Sequence, residues 1–165
     1  AIPIAHTEEA RFDRLIATDI STDALAVAST NATRIGAKVE FRCGDLLRAW
    51  DQPSAECRES TAEAIVSNLP YISFSEIREL PRSVRDWEPA VALFSGDNGL
   101  ALTARLVRQA ADRLSPRGLL ALEVDGRRAS LVAELVGADQ RFADVAVELD
   151  LAGRERFVLA TRRES

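Results

Sequence analysis

Apolar and polar positions follow two periods along the chain. Short apolar runs at Leu15-Ile16-Ala17-Thr18, Lys38 to Arg42, Ala64-Ile65-Val66 and Leu119 to Val124 predict strands, and polar residues or turns close each of them. Between the runs, apolar residues recur every three or four positions, as on one face of a helix. One such stripe is Ala24, Leu25, Val27, Ala28 and Ile35, predicting a helix from about Thr22 to Ile35 with Ser21 as N-cap and Gly36 as terminator. A second is Leu102, Leu106, Val107, Ala110 and Leu114, predicting a helix over Gly99 to Leu114 with a turn at Ser115-Pro116-Arg117-Gly118. A third helix is expected over Arg127 to Val136. Strands over Phe142 to Leu149 and Arg156 to Thr161, with a tight turn at Ala152-Gly153, complete the chain as an antiparallel hairpin.

Strand and helix alternate, so the expected architecture is α/β: a mostly parallel sheet covered on both faces, with the hairpin as an antiparallel edge. Val39 and Phe41 are expected to point inward, and Cys43 to end its strand as a small buried hydrophobe. Ala64 to Val66 reads as the end of a buried strand, and the apolar run Leu119 to Val124 as a strand buried on both faces. Polar residues from Asp51 to Thr61 form a loop. The stretch between Tyr71 and Asn98, broken by Pro81 and Pro89, is irregular and of the length that functional or disordered loops have.

Three of the strand ends carry groups that bind polar ligands: Asp19, Asp45 and Asn68. In open α/β sheets ligands settle in the crevice beyond the carboxyl ends of the strands. A carboxylate accepts from both hydroxyls of a ribose, and another accepts from the amino group of an adenine. Each aspartate alone is more often a turn or cap residue; three in register favour a nucleoside site. At the third strand end, Asn68-Leu69-Pro70-Tyr71 combines a side-chain carbonyl, a proline-stiffened backbone carbonyl and an aromatic face. Two acceptors and a stacking platform suit a planar –NH2 group, either an amide or the amino group of adenine.

At 165 residues, 47% apolar and 28% charged, the chain has the size and composition of one globular domain. Its net charge of −5 argues against nucleic-acid binding through a generally basic surface. No apolar run approaches a membrane span and no signal-peptide pattern opens the chain, so a reducing, cytoplasmic setting is expected. Cys43 and Cys57 are too few and too isolated for a zinc site, and no metal is expected; His6, the only histidine, is expected at the surface and leaves no histidine triad near Asn68. The chain has no methionine and begins at Ala1, where Ala1 to Ala10 read as a helix already in progress with no N-cap. A processed chain or a fragment is therefore expected.

A series of motifs in order extends this reading. Asp19-Ile20-Ser21 with Ala24-Leu25, Gly44-Asp45, Ser67-Asn68-Leu69-Pro70-Tyr71-Ile72 and Trp87-Glu88-Pro89 with Ala92-Leu93 come first. Gly96-Asp97-Asn98-Gly99-Leu100, Leu122-Glu123 and Asp150 to Arg156 follow. Together they resemble the HemK/PrmC protein-glutamine methyltransferases over nearly the whole chain, the Glu-Pro to Gly-Leu segment being the most specific part. The resemblance implies a Rossmann-like class I S-adenosylmethionine-dependent methyltransferase sheet, present as a single, partial catalytic domain over residues 1–165. The family's first strand, glycine-rich loop and N-terminal helical domain would be missing from it, and cofactor binding by these residues alone is then expected to be weak.

By the same resemblance, the enzyme methylates the side-chain amide of a glutamine, its partner being a peptide-chain release factor with a Gly-Gly-Gln motif. Asp19 and Ile20 would lie at the cofactor's ribose, and Asp45 and Leu46 at its adenine. The Asn68 side chain, at the boundary of cofactor and substrate, and the Leu69 carbonyl would accept the two amide hydrogens. Pro70 would stiffen the loop and Tyr71 would pack on the amide plane. The family usually has proline where this chain has Leu69, and a Leu-Pro-Tyr version is more typical of adenine dimethyltransferases acting on ribosomal RNA. An adenine amino-methyltransferase is therefore the second reading, and a non-catalytic remnant that only binds a partner the third.

Overall fold

A computed structural model describes residues 12–51, 61–69 and 100–164, which divide between two units, Ala1–Arg58 and Glu59–Ser165. In the first unit, strand β1 (Ile16–Asp19) leads into helix α1 (Thr22–Ile35), and β2 (Glu40–Cys43) returns parallel to β1. The helix boundaries are those the sequence predicts, because both signals are local. Ser21 Oγ accepts from the Ala24 N–H at 3.2 Å, and Gly36 takes the left-handed conformation at φ 71° that ends a helix. A 3₁₀ turn, Leu46–Asp51, follows β2.

The burial expected here is corrected by the structure. In the α1 stripe Leu25 and Ala28 are half-buried, whereas Ala24, Val27 and Ile35 are exposed and Ala32 is the buried residue. Two strands offer a helix a narrow face, so only its central positions are covered within this unit. On β2 the buried side chain is Arg42, not Val39 or Phe41, which are half-buried, and Cys43 is exposed. Arg42 is held inside by its polar partners. Its Nε donates to Glu40 Oε1 at 2.7 Å and its Nη1 to the Trp50 carbonyl at 2.8 Å, while Arg14 pairs with the other Glu40 oxygen. Such satisfaction is what a buried guanidinium requires. Arg14, then Arg42, hold the Glu40 carboxyl below its ordinary range.

In the second unit the order is β3 (Ala62–Asn68), α2 (Ala101–Arg113), β4 (Leu114–Glu123), a 3₁₀ turn (Gly126–Arg128), α3 (Ala129–Ala138), β5 (Phe142–Leu149) and β6 (Glu155–Arg162). They form one sheet in the order β3-β4-β6-β5, with β3 parallel to β4 and β6 antiparallel to both its neighbours. One face carries the core. Ile65, Leu120, Leu122, Val158 and Ala160 are buried together with Leu106, Val107 and Ala110 of α2 and Val132 and Val136 of α3. The opposite face is open, with Val66 and Leu119 each 42% exposed. Within this unit, then, neither Ala64–Val66 nor Leu119–Val124 is buried on both faces: burial alternates along β4, as for a sheet covered on one side.

The Ser115–Gly118 turn is absorbed into β4 as an irregularity, across which the register to β3 shifts from Ala62↔Leu114 to Ala64↔Leu119. Arg117 stands there at φ 64°. The closing hairpin is as the sequence predicts. Asp150 Oδ1 accepts from the N–H groups of Ala152 and Arg154 at 2.8 and 3.0 Å, and Gly153 adopts φ 74°. No helix among the described residues is long and apolar enough to cross a membrane. The expectations for Ala1 to Ala10, His6, the Asp51–Thr61 loop with Cys57, and the stretch beyond Tyr71 to Gly99 lie on or extend into residues outside those described.

Candidate active site at the carboxyl ends of the strands

In the first unit the parallel strands end level, Asp19 being the register partner of Cys43. Asp19 is exposed, and its Oδ1 accepts from the Ser21 N–H at 2.8 Å, a local turn that starts α1. A carboxylate has acceptor capacity to spare after one such bond. Ile20 beside it is 59% exposed, an apolar surface next to the acid. Beyond β2, the Gly44 N–H donates to the Asp19 carbonyl at 2.9 Å, and Cys43 Sγ lies 3.7 Å from the Ile20 carbonyl. The two strand-end loops are thus tied to each other. Asp45 is half-buried and its carbonyl accepts from Arg48 N–H at 3.2 Å, opening the 3₁₀ turn; Leu46 has φ 54°. Asp19, Ile20, Asp45 and Leu46 therefore share one edge of this unit.

In the second unit β3 ends at Asn68, exposed, followed by half-buried Leu69. Pro70 and Tyr71, the other two residues expected there, lie outside the described residues. Next to Asn68 the parallel strand β4 ends at its register partner Glu123. A small cleft opens at this edge, lined by Ser67, Leu69, Leu122, Glu123 and Val124 from the strand ends, Leu100 and Thr103 from the start of α2, and Arg128 and Val132. Asp125 caps the turn behind it, its Oδ1 accepting from the Arg127 N–H at 2.8 Å. The signal that selects Asp19 and Asp45, a carboxylate closing an apolar strand, applies equally to Glu123. The sequence places Leu122-Glu123 in the motif series without a role in the site. Among the described residues no group of three or more His, Cys, Asp and Glu side chains is placed to hold a metal.

No family model matches the chain. It is 40% identical over 153 residues to the release factor glutamine methyltransferase of Moorella thermoacetica, covering 92% of this chain and 51% of that protein. It is 36% identical over 147 residues to the enzyme of the same name from Enterococcus faecalis, covering 89% of this chain and 50% of that one. The ribosomal protein L11 methylase structure from Lactobacillus delbrueckii subsp. bulgaricus superposes with a TM-score of 0.65 at 18% identity, over 99% of this chain and 65% of that one. At that identity the likeness concerns the fold, which is the Rossmann-like class I methyltransferase fold. The chain spans about half the length of the curated relatives it matches. Over that half of their length it is similar in sequence to these release factor glutamine methyltransferases.

Proposed function

We propose that this chain supplies catalytic-domain residues of a protein-glutamine methyltransferase. The reaction moves a methyl group from S-adenosylmethionine to the side-chain amide nitrogen of glutamine in the Gly-Gly-Gln motif of a peptide-chain release factor, in the cytoplasm, as part of translation termination. The observation that carries the reading is β3, which ends at Asn68 with Leu69 beyond it, beside the level end of β4. The names of the relatives support it. We read both units as parts of one methyltransferase catalytic domain.

The donor set fits the methyl donor. A ribose diol donates two O–H groups, which the exposed Asp19 carboxylate is chemically suited to accept; an adenine amino group suits Asp45; Ile20 and Leu46 offer apolar surface to the base. When bound, S-adenosylmethionine supplies a methyl carbon activated by its sulfonium. This chain's own task is to prepare the nitrogen. An amide nitrogen is a weak nucleophile because its lone pair is delocalised into the carbonyl. The Asn68 side-chain carbonyl, also at the boundary with the cofactor, and the Leu69 backbone carbonyl accept one amide hydrogen each, which fixes the nitrogen's orientation. They also stabilise the positive charge that grows on it. Only a backbone carbonyl is required at Leu69, so leucine serves where the family usually has proline. Pro70 and Tyr71 keep the roles that the resemblance implies for them.

The test is Asn68→Ala in the full natural protein that carries these residues, assayed with a release factor. Loss of one preorganised polar contact predicts turnover lower by on the order of 10²–10³-fold. Near wild-type turnover would remove Asn68 from the mechanism.

A further inference from the structure

We propose that Glu123 is the group that accepts the proton released by the methylated amide nitrogen. The inference rests on the glutamine reading above and assigns a role within that same site. Asn68 of β3, Glu123 of β4 and Phe157 of β6 are successive register partners, so the three residues cross the sheet at one level and project from the same face. Neighbouring strands lie about 4.8 Å apart. A glutamine amide held by Asn68 therefore comes within reach of the next side chain in the row, a carboxylate on a three-bond stem. Phe157 stands on the other side of Glu123 and separates it from Glu148, the next residue of the row on β5. Arg128 lines the same cleft.

Leu120, Leu122 and Val124 are buried, whereas Glu123, on the alternate face at the end of the strand, is half-buried. A carboxylate withdrawn from water costs free energy unless a partner offsets it. Among the described residues the Glu123 side chain has no hydrogen-bond or ion-pair partner.

The step balances as follows. The amide nitrogen forms a bond to the methyl carbon while the carbon–sulfur bond breaks, and its electron pair stays on sulfur as a neutral thioether. The nitrogen, now positively charged and strongly acidic, swings one N–H from its carbonyl acceptor to the Glu123 carboxylate and passes that proton to it, and the carboxylate then loses it to solvent. The negative charge of the carboxylate also favours the cation forming beside it.

Glu123→Gln keeps the shape and removes the charge. In the full natural protein with a release factor as substrate, it should lower kcat about 10²-fold. The release factor's KM, and its cofactor-free affinity by calorimetry, should stay near wild type. Glu123→Asp, which keeps the charge one methylene further back, should recover part of kcat. Wild-type kcat in Glu123→Gln would overturn the role. So would a loss confined to KM, or equal losses in both variants accompanied by a lowered melting temperature, which would mark a structural residue. A wild-type protein that labels no glutamine would overturn the glutamine reading and this inference with it. Labelling that proceeds equally well in Glu123→Gln would overturn only the role of Glu123.

Discussion

Gly44 has no side chain, and the turn behind it depends on that. A Cβ built there would stand 2.7 Å from the Ala49 Cβ and 3.0 Å from its Cα, and Ala49 is fully buried. Neither contact is with a flexible chain end, so backbone must move. Gly44→Ala is expected to destabilise the first unit by about 1–3 kcal/mol, the range for overpacking a filled site. Hydrogen exchange over residues 40–50 would report it, and Ala49→Gly in the same chain should recover part of the loss. Unchanged protection in Gly44→Ala would contradict the close approach. At this scale the sequence is legible where a residue acts on its own neighbourhood. Ser21, Gly36 and Gly153 were readable because caps and turns need particular backbone geometry. Arg42 was not, because its burial depends on Glu40 and on the Trp50 carbonyl, a turn away. Cys43 misled for the opposite reason: a small apolar residue at a strand end carries no signal that its end is open.

Arg141 joins three elements of the second unit. It bonds Asp139 at the end of α3 through Nε and Nη2, at 2.8 and 2.6 Å, pairs with Asp112 in α2, and immediately precedes β5. Arg141 holds the Asp139 carboxyl below its ordinary 3.8 despite partial burial, and the pairing raises Arg141 itself so that it stays charged. A depressed carboxylate contributes stability above its unfolded pKa and loses it as pH falls through the folded value. Protection of α3 and the start of β5, measured by hydrogen exchange corrected for intrinsic rates, should therefore weaken below about pH 4. Asp139→Asn should be less protected at neutral pH and lose less on acidification. Equal acid sensitivity in the variant would show that other carboxylates govern this clip. The elements themselves were legible: α1, the second helix and the final hairpin follow from periodicity and turn chemistry. Which strand faces are covered was not, since Leu119 and Val66 read as buried from composition alone yet lie on the open face of this unit's sheet.

For the whole molecule, the proposed function draws on the order of short motifs, while bulk properties only narrow the class. A net charge of −5 and an ordinary composition fit many proteins. Asn68-Leu69-Pro70-Tyr71, taken with Asp19, Asp45 and the terminal Asp150–Arg156 turn, points by resemblance to amide or adenine methylation. Relatives 35–40% identical to the chain are named for glutamine methylation. Part of that series proves structural, since Asp150 organises the hairpin turn through its backbone hydrogen bonds. Glu123 stands in the motif series without a site role, because the role proposed for it comes from the register that sets it beside Asn68, which no single stretch of sequence displays. The most direct test of the account is one labelling reaction. The full natural protein is incubated with radiolabelled S-adenosylmethionine and a crude mixture of translation factors and RNA, which is then divided between protease and nuclease. The account predicts label that protease removes and nuclease does not, mapping to a glutamine side chain in a release factor. Label that nuclease removes would contradict it and put adenine in place of glutamine.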